Sequence, residues 1–219
     1  MPAKSISLDL SSAQKVRELY DLCRTSVLIA SPESDSVTLE WRCWFYVYLM
    51  WHESGGLRTR SQTAPGTARG LMQFEAATAW DVIKIYVMGP TPGLVARLAA
   101  AAGVDRATVA IPVIKAFAAL PNPGPVWPPI GLAKQIEHWL LAHDSFGIEL
   151  MQMQFARYRV FIPGVPVRLV RGPHSLAARQ SYANLWADAW WRGAQKVRAK
   201  RIADFMEDAA GLNVASPPT

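Results

Sequence analysis

Between Ser11 and Ala30 the apolar residues Val16, Leu19, Tyr20, Cys23 and Val27 recur at three- and four-residue spacing, while Lys15, Arg17, Glu18 and Arg24 fall elsewhere. The pattern predicts an amphipathic helix that covers a core. Ser31-Pro32-Glu33-Ser34-Asp35-Ser36 then offers several N-caps and launches a second helix, Val37 to His52. Trp41, Trp44, Phe45 and Tyr48 line one of its faces and Leu49 and Met50 another. A helix apolar nearly all round belongs at the centre of a fold, so this one is expected to be the most buried.

Further along, Gln73 to Met88 reads as a helix stopped by Gly89-Pro90-Thr91-Pro92-Gly93. Two alanine-rich helices follow, Leu94 to Ala102 and Ala107 to Leu120, and then a rigid irregular loop from Pro121 to Pro129. Ile130 to His143 and Ser145 to Val160 are two more helices, with a break around Asp144 to Gly147. A Pro/Gly loop from Ile162 to His174 precedes a helix from Ser175 to Arg192 and a basic helix ending near Ala210. Nothing alternates with a period of two over strand length, and there is no repeat of solenoid period. The expected class is all-α, with at most a small β-hairpin between Arg58 and Arg69. A single domain spanning 1–219 is expected, with a Pro/Gly-rich insertion around 89–130.

A chain of 219 residues that is 51% hydrophobic can bury one substantial core. Its best apolar run, Cys43 to Trp51, is bounded by Arg42 and by His52-Glu53 and falls short of the roughly 20 residues that span a bilayer. The opening Met1-Pro2-Ala3-Lys4-Ser5-Ile6-Ser7 lacks the apolar run of a secretory signal, which predicts a product made in the cytoplasm. Cys23 and Cys43 are too few for a disulfide scaffold, and Cys43 is expected to pack as a small hydrophobe. A net charge of +6 and a pI near 9.5 favour anionic partners, among which charge alone does not choose.

Glu53 is the residue with the clearest chemical promise. It ends the apolar helix and is followed at once by Ser54-Gly55-Gly56, and later by Gly70-Leu71-Met72-Gln73-Phe74. One turn back, Leu49 and Met50 desolvate the carboxyl, and the helix C-terminus adds negative potential. Both effects raise its pKa, as a general acid working near neutral pH requires. From position alone, an acid that only accepts backbone hydrogen bonds at the bend fits equally well.

His52-Glu53-Ser54-Gly55-Gly56, with Thr67-Ala68-Arg69-Gly70-Leu71-Met72-Gln73-Phe74 and Thr78-Ala79-Trp80, resembles the Glu-Ser and Gly-Leu-Met-Gln motifs of the soluble lytic transglycosylases. These belong to the lysozyme-like superfamily, and the Gln-Phe ending is similar to versions in phage proteins. The resemblance covers about forty residues. It implies a helical fold of the goose-type lysozyme and lytic transglycosylase kind, with Glu53 as single catalytic acid/base. Ser54 would support the acid at the substrate site, Met72 and Gln73 would line the glycan cleft, and Gly70 would permit the close turn beside it. For Phe74 plain core packing is the better reading.

The chain also departs from the family pattern. Ile148 to Tyr158 corresponds to a later family helix, making Tyr158 a candidate for the cleft. The family's Ala-Tyr-Asn-Ala-Gly stretch, whose tyrosine sits by the acid, is absent; Tyr182-Ala183-Asn184-Leu185-Trp186 and Trp190-Trp191-Arg192-Gly193 occupy that part of the chain. No Asp or Glu occurs between Glu53 and Glu75, whereas two-carboxylate hydrolysis needs a second carboxylate roughly 5 to 9.5 Å away. Glu75, Asp81 and Asp144 are the candidates for approach in three dimensions.

Other groupings are weaker. His52-Glu53 starts a zincin-like string, but Gly56 stands where the second histidine is required. His138 and His143 fall on different sides of a helix, and no metal or cofactor is implied. Trp127 reads as a core plug beneath its proline loop more readily than as a sugar-stacking platform. Lys196, Arg198, Lys200 and Arg201 form a solvated face with some capacity for an anionic envelope surface. The combined expectation is cleavage of the MurNAc–GlcNAc β-1,4 bond in peptidoglycan glycan strands, by transglycosylation, with no nucleic-acid partner. A water-using muramidase and a non-catalytic glycan-binding component of a virion or secretion apparatus are the rivals. Delivery by holin, virion or secretion machine would bring the protein to the wall.

Overall fold

Ser11 opens the first helix as its position predicts. In the computed structural model of the protein, which describes residues 1–32, 35–62, 66–89, 91–119, 127–157, 174–191 and 195–212, α1 spans Ser12–Ala30. The Ser11 hydroxyl accepts from the Gln14 N–H while the Gln14 side chain accepts from the Ser11 N–H, a reciprocal box that satisfies two orphan donors. Asp35 caps α2, Ser36–Glu53, its carboxylate accepting from the Thr38 N–H.

The remaining helices are α3 (Ala76–Met88), α4 (Pro92–Ala101), α5 (Arg106–Ala118), α6 (Ile130–Ala142), α7 (Asp144–Arg157), α8 (Leu176–Leu185) and α9 (Gln195–Gly211), with a π-helical turn at Trp186–Trp191. The described residues contain no strand. The expected hairpin reduces to isolated antiparallel bridges, Ser61 with Arg69 and Arg69 with Phe74. None of the described helices is long and apolar enough to cross a membrane.

Several boundaries differ from the periodicity; α3 starts at Ala76 and not at Gln73, whose backbone is left-handed in the turn before it. Pro92 starts α4 instead of belonging to a stop, because the first helical turn needs no N–H from it. Asp144 starts α7 directly after α6, and Gly147 continues that helix instead of breaking it. The expected single helix from Ser175 to Arg192 is α8 followed by the π turn.

Backbone packing divides the chain into two compact units, Met1–Ile6 with Thr59–Met153 and Ser7–Arg58 with Gln154–Thr219. In the first, α3 packs on α4, α5 and α6, and α4 packs on α5. The stretch read as an insertion therefore supplies core: Val95, Leu98, Val109 and Val113 are buried. Two of this unit's ion pairs hold buried carboxylates. Arg60 grips both oxygens of the buried Asp144 at 2.9 and 2.6 Å and donates to the Ile6 carbonyl, while the Ile6 N–H donates to Asp144. Arg97 meets the buried Glu149 at 2.6 Å.

In the second unit α2 packs on α1, α8 and α9. Trp41, Phe45, Tyr48 and Tyr182 form one aromatic cluster, with ring centroids 5.3 to 5.8 Å apart for the pairs Trp41–Phe45, Trp41–Tyr182, Phe45–Tyr182 and Tyr48–Tyr182. Each fully buried large side chain contributes about 1.5–3 kcal/mol, and aromatic pairs add roughly 0.5–1.5 kcal/mol each. The sequence expectation for α2 is met from Cys43 to Met50, all buried, but α7 is buried without interruption from Asp144 to Met151 and rivals it. The reason is chemical: α7 buries Asp144 and Glu149 by pairing them with arginines, so its charges do not mark an exposed face. Lys15 likewise lies buried in α1 and not on the outer face, its ammonium donating to the Leu57 carbonyl at 3.4 Å.

The turn at Gly70 carries a strict backbone requirement. Gly70 has φ +76°, and a Cβ there would stand 2.9 Å from the Leu140 carbonyl oxygen. Gly70→Ala is expected to lose about 2–4 kcal/mol, from left-handed strain plus overlap with backbone that has no rotamer to move. Urea denaturation checks this; a loss under half a kcal/mol would mean that the turn relaxes freely.

Candidate active site

The end of α2 is shaped by backbone hydrogen bonds before any side chain acts. The Gly56 N–H reaches the Trp51 carbonyl at 2.8 Å and the Gly55 N–H the His52 carbonyl at 3.3 Å, the paired closure of a Schellman motif. Gly55 at φ +60° is the left-handed residue this closure demands. The backbone remains left-handed through Gly56 and, unusually for a branched residue, Leu57 at φ +58°. Leu57 is fully buried and is tied at both ends: its N–H donates to the Ser54 hydroxyl at 3.0 Å and its carbonyl accepts from Lys15. A strained residue persists where its surroundings over-determine it.

Ser54 is therefore placed beneath the bend. It is 0% exposed, and its hydroxyl donates to the Met50 carbonyl at 2.6 Å while accepting from Leu57. With both functions committed to backbone, it positions the loop that follows the acid and has no face toward a substrate.

Glu53 itself is the last residue of α2. The Trp186 indole N–H donates to its Oε1 at 2.7 Å. The residue retains partial exposure, yet its carboxyl is sufficiently enclosed that desolvation raises its pKa above the ordinary glutamate value. Opposing influences come from the Trp186 bond, then His52, Arg201 and Trp190, all of which favour the ionised form. Trp186 comes from the π turn, as does Trp190 four residues on; such wide turns recur at functional sites.

The neighbours of Glu53 are themselves held. His52 Nδ1 lies 2.5 Å from an Asp208 carboxylate oxygen, and the Trp51 indole donates to the Asp208 carbonyl at 3.0 Å. The Trp186 ring meets His52 edge-on at 4.7 Å and lies 5.5 Å from Phe205. Trp51, His52 and Glu53 thus each have a partner from the C-terminal part of the same unit.

Gly70, Met72 and Gln73 come together in the other unit. Arg69 and Phe74 exchange backbone hydrogen bonds at 2.8 and 3.0 Å, closing Gly70-Leu71-Met72-Gln73 into a tight loop. Met72 is 1% exposed and packs where a Cβ on Gly147 would meet its Cγ at 3.3 Å, so it is core. Gln73 keeps partial exposure, with its amide nitrogen donating to the Gly70 carbonyl at 2.8 Å and its own φ at +50°. Phe74 is buried as expected. Tyr158 lies outside the described residues.

Tyr182 is sunk in the aromatic cluster, its hydroxyl has no hydrogen-bond partner among the described residues, and burial raises its pKa well above the tyrosine range. Trp186 is the aromatic residue at the acid instead. The sequence brings Trp186 and Trp190 to this part of the chain without choosing between them, and their four-residue spacing is the signal it offers. The Asp208–His52 pairing had none.

Asp144 is committed to Arg60 and Ile6, Asp81 pairs with Lys84 at 2.5 Å, and Glu75 is exposed at the start of α3. Trp127 is 57% exposed, so it does not plug the core; Pro128 and Pro129 hold it on an extended approach to α6. On α9, Arg198 pairs with Asp188 and Lys200 with Asp204, which offsets part of the basic face. Cys23 and Cys43 are free and buried, and desolvation pushes the Cys43 thiol up to about 12. Among the described residues no group of three His, Cys, Asp or Glu is placed to hold a metal ion. No family model matches the chain, and neither a curated protein nor a solved structure matches it.

Replacing Ser54 by Ala leaves the buried Leu57 N–H without an acceptor, for an expected loss of about 1–3 kcal/mol. Thermal or urea unfolding measures it. An unchanged midpoint would show that the bend does not depend on this hydroxyl.

Proposed function

We propose that the protein is a lysozyme-like enzyme that cleaves the MurNAc–GlcNAc β-1,4 bond of peptidoglycan by intramolecular transglycosylation, with Glu53 as its single acid/base. The observation that carries this reading is an enclosed carboxyl with a raised pKa, on a residue that keeps partial exposure at the end of a buried helix, held by a neutral indole donor. Purely structural carboxylates in this chain are treated differently: Asp144 and Glu149 are fully buried and gripped by arginines. The Glu-Ser and Gly-Leu-Met-Gln motifs supply the substrate class.

In this reaction protonated Glu53 gives its proton to the glycosidic oxygen as the bond to the leaving sugar breaks. The N-acetyl group of the substrate stabilises the cation that develops at the anomeric carbon. Ionised Glu53, steadied by the Trp186 N–H, then takes the proton of the sugar's 6-hydroxyl as that oxygen closes the anhydro ring. No water is consumed and no second carboxylate is needed. The commitment of Asp144 to Arg60 and of Asp81 to Lys84 favours this route over two-carboxylate hydrolysis. Within the Gly-Leu-Met-Gln loop, Gln73 is the side chain with access to a glycan, and Gly70 and Met72 serve the loop's shape.

Glu53→Gln is expected to retain the fold and lower wall cleavage at least about a hundredfold, since the amide delivers no proton. Its stability at neutral pH should equal or exceed that of the wild type, because a buried ionisable group is removed. Mass spectrometry of digested peptidoglycan reads the chemistry: 1,6-anhydroMurNAc ends support transglycosylation, reducing MurNAc ends overturn it in favour of hydrolysis, and absence of fragments overturns catalysis altogether.

The pH profile follows from the direction of the Glu53 shift. The acid form is required first, so activity is present below the raised pKa and disappears as pH rises through it. The alkaline midpoint should therefore lie above about 4.3, the ordinary glutamate value. A midpoint at or below that value would contradict Glu53 as the acid.

A further inference from the structure

The π turn brings two indoles to one carboxyl, and both are neutral donors. Trp186 is 2% exposed and wedged against His52 and Phe205, so its N–H has a fixed direction. Its bond to Glu53 Oε1 joins residues 133 apart in the chain. Trp190 acts on the same carboxyl more weakly, in the same sense. The charged groups acting there are His52 from α2 and Arg201 from α9, with Asp208 of α9 drawn to His52.

An acid that must give a proton and then take one back needs a partner that stabilises both forms. An arginine in bidentate contact would favour the ionised form so strongly that the first step would lack its proton. An indole has one donor, no acceptor and no titration in the working range, so it orients the carboxyl in either state. The opposing shifts at Glu53 fit this division: desolvation keeps the acid form accessible, and the N–H donors keep the base form tolerable.

We propose that Trp186 is a positioning residue for Glu53, whose indole N–H fixes the carboxyl's orientation and supports its ionised form between the two proton transfers, with Trp190 assisting from the next turn. This rests on the reading of Glu53 as acid/base. The π turn, in place of a continued α-helix, is the backbone device that presents the pair.

Trp186→Phe removes the N–H and retains an aromatic ring. In full-length protein carrying 13C-labelled glutamate, the Glu53 carboxyl, assigned by its absence in Glu53→Gln, is titrated by NMR. Loss of the donor is expected to move its midpoint up by about one pH unit. The alkaline limb of kcat should rise by the same interval, while kcat at its plateau falls about tenfold with KM little changed. Trp44→Phe is the control, since it removes a buried indole from the same unit whose N–H has no hydrogen-bond partner among the described residues; it should leave the Glu53 titration in place. If Trp186→Phe folds poorly, benzothienylalanine at position 186 preserves the shape and deletes only the N–H. A Glu53 titration unmoved in the folded variant, with Glu53→Gln inactive, overturns the positioning role alone. Full activity of Glu53→Gln overturns the acid/base reading and this role with it.

Discussion

A carboxyl at the end of a helix that is apolar on almost every side is pulled toward its neutral form, and the Trp186 N–H is the principal group opposing that pull. Much of the surrounding unit serves this balance. The helix stops at Glu53. The Schellman closure at Gly55 and Gly56 supplies the stop, and Ser54 and Lys15 hold the left-handed bend beyond it. From the other side, Asp208 takes Trp51 and His52, the two residues before the acid.

The left-handed Leu57 shows how local cost is distributed. A branched side chain at φ +58° is disfavoured by roughly 1–2 kcal/mol. It is offset by complete burial of the side chain and by hydrogen bonds at both ends of the residue. Gln73 repeats the arrangement in the other unit, where its backbone and side-chain amides both return to the Gly70 carbonyl. In both places a residue shortly after a motif glycine carries the strain, Leu57 directly after Gly56 and Gln73 three residues after Gly70.

Charge is handled in two ways within one chain. The first unit buries Asp144 and Glu149 and neutralises each with an arginine, a solution that fixes geometry and removes the carboxylate from chemistry. The second unit keeps Glu53 partly open and gives it a neutral donor, with charged groups only as secondary influences. A carboxylate so held remains able to change protonation state, which is the property a general acid requires.

By itself the sequence determined the helical class, the helix start near Ser11, a turn of candidate N-caps before the second helix, the core character of Cys43 to Met50 and the glycine-dependent turns at Gly55 and Gly70. These follow from neighbours within a few residues, where periodicity, capping and backbone sterics act. It also singled out Glu53, because the apolar run before it is visible in the chain. Tertiary structure decided what no local pattern encodes: that Lys15 and Glu149 are buried with partners, that Trp127 is exposed, that Met72 serves packing, and that Trp186 reaches the acid where Tyr182 does not. Each of these depends on a partner tens to more than a hundred residues away, or on its absence, and on the widening of one helical turn into a π turn. Such outcomes are set by which surfaces meet, and a polar residue in sequence carries no mark of the arginine, carbonyl or indole that will satisfy it.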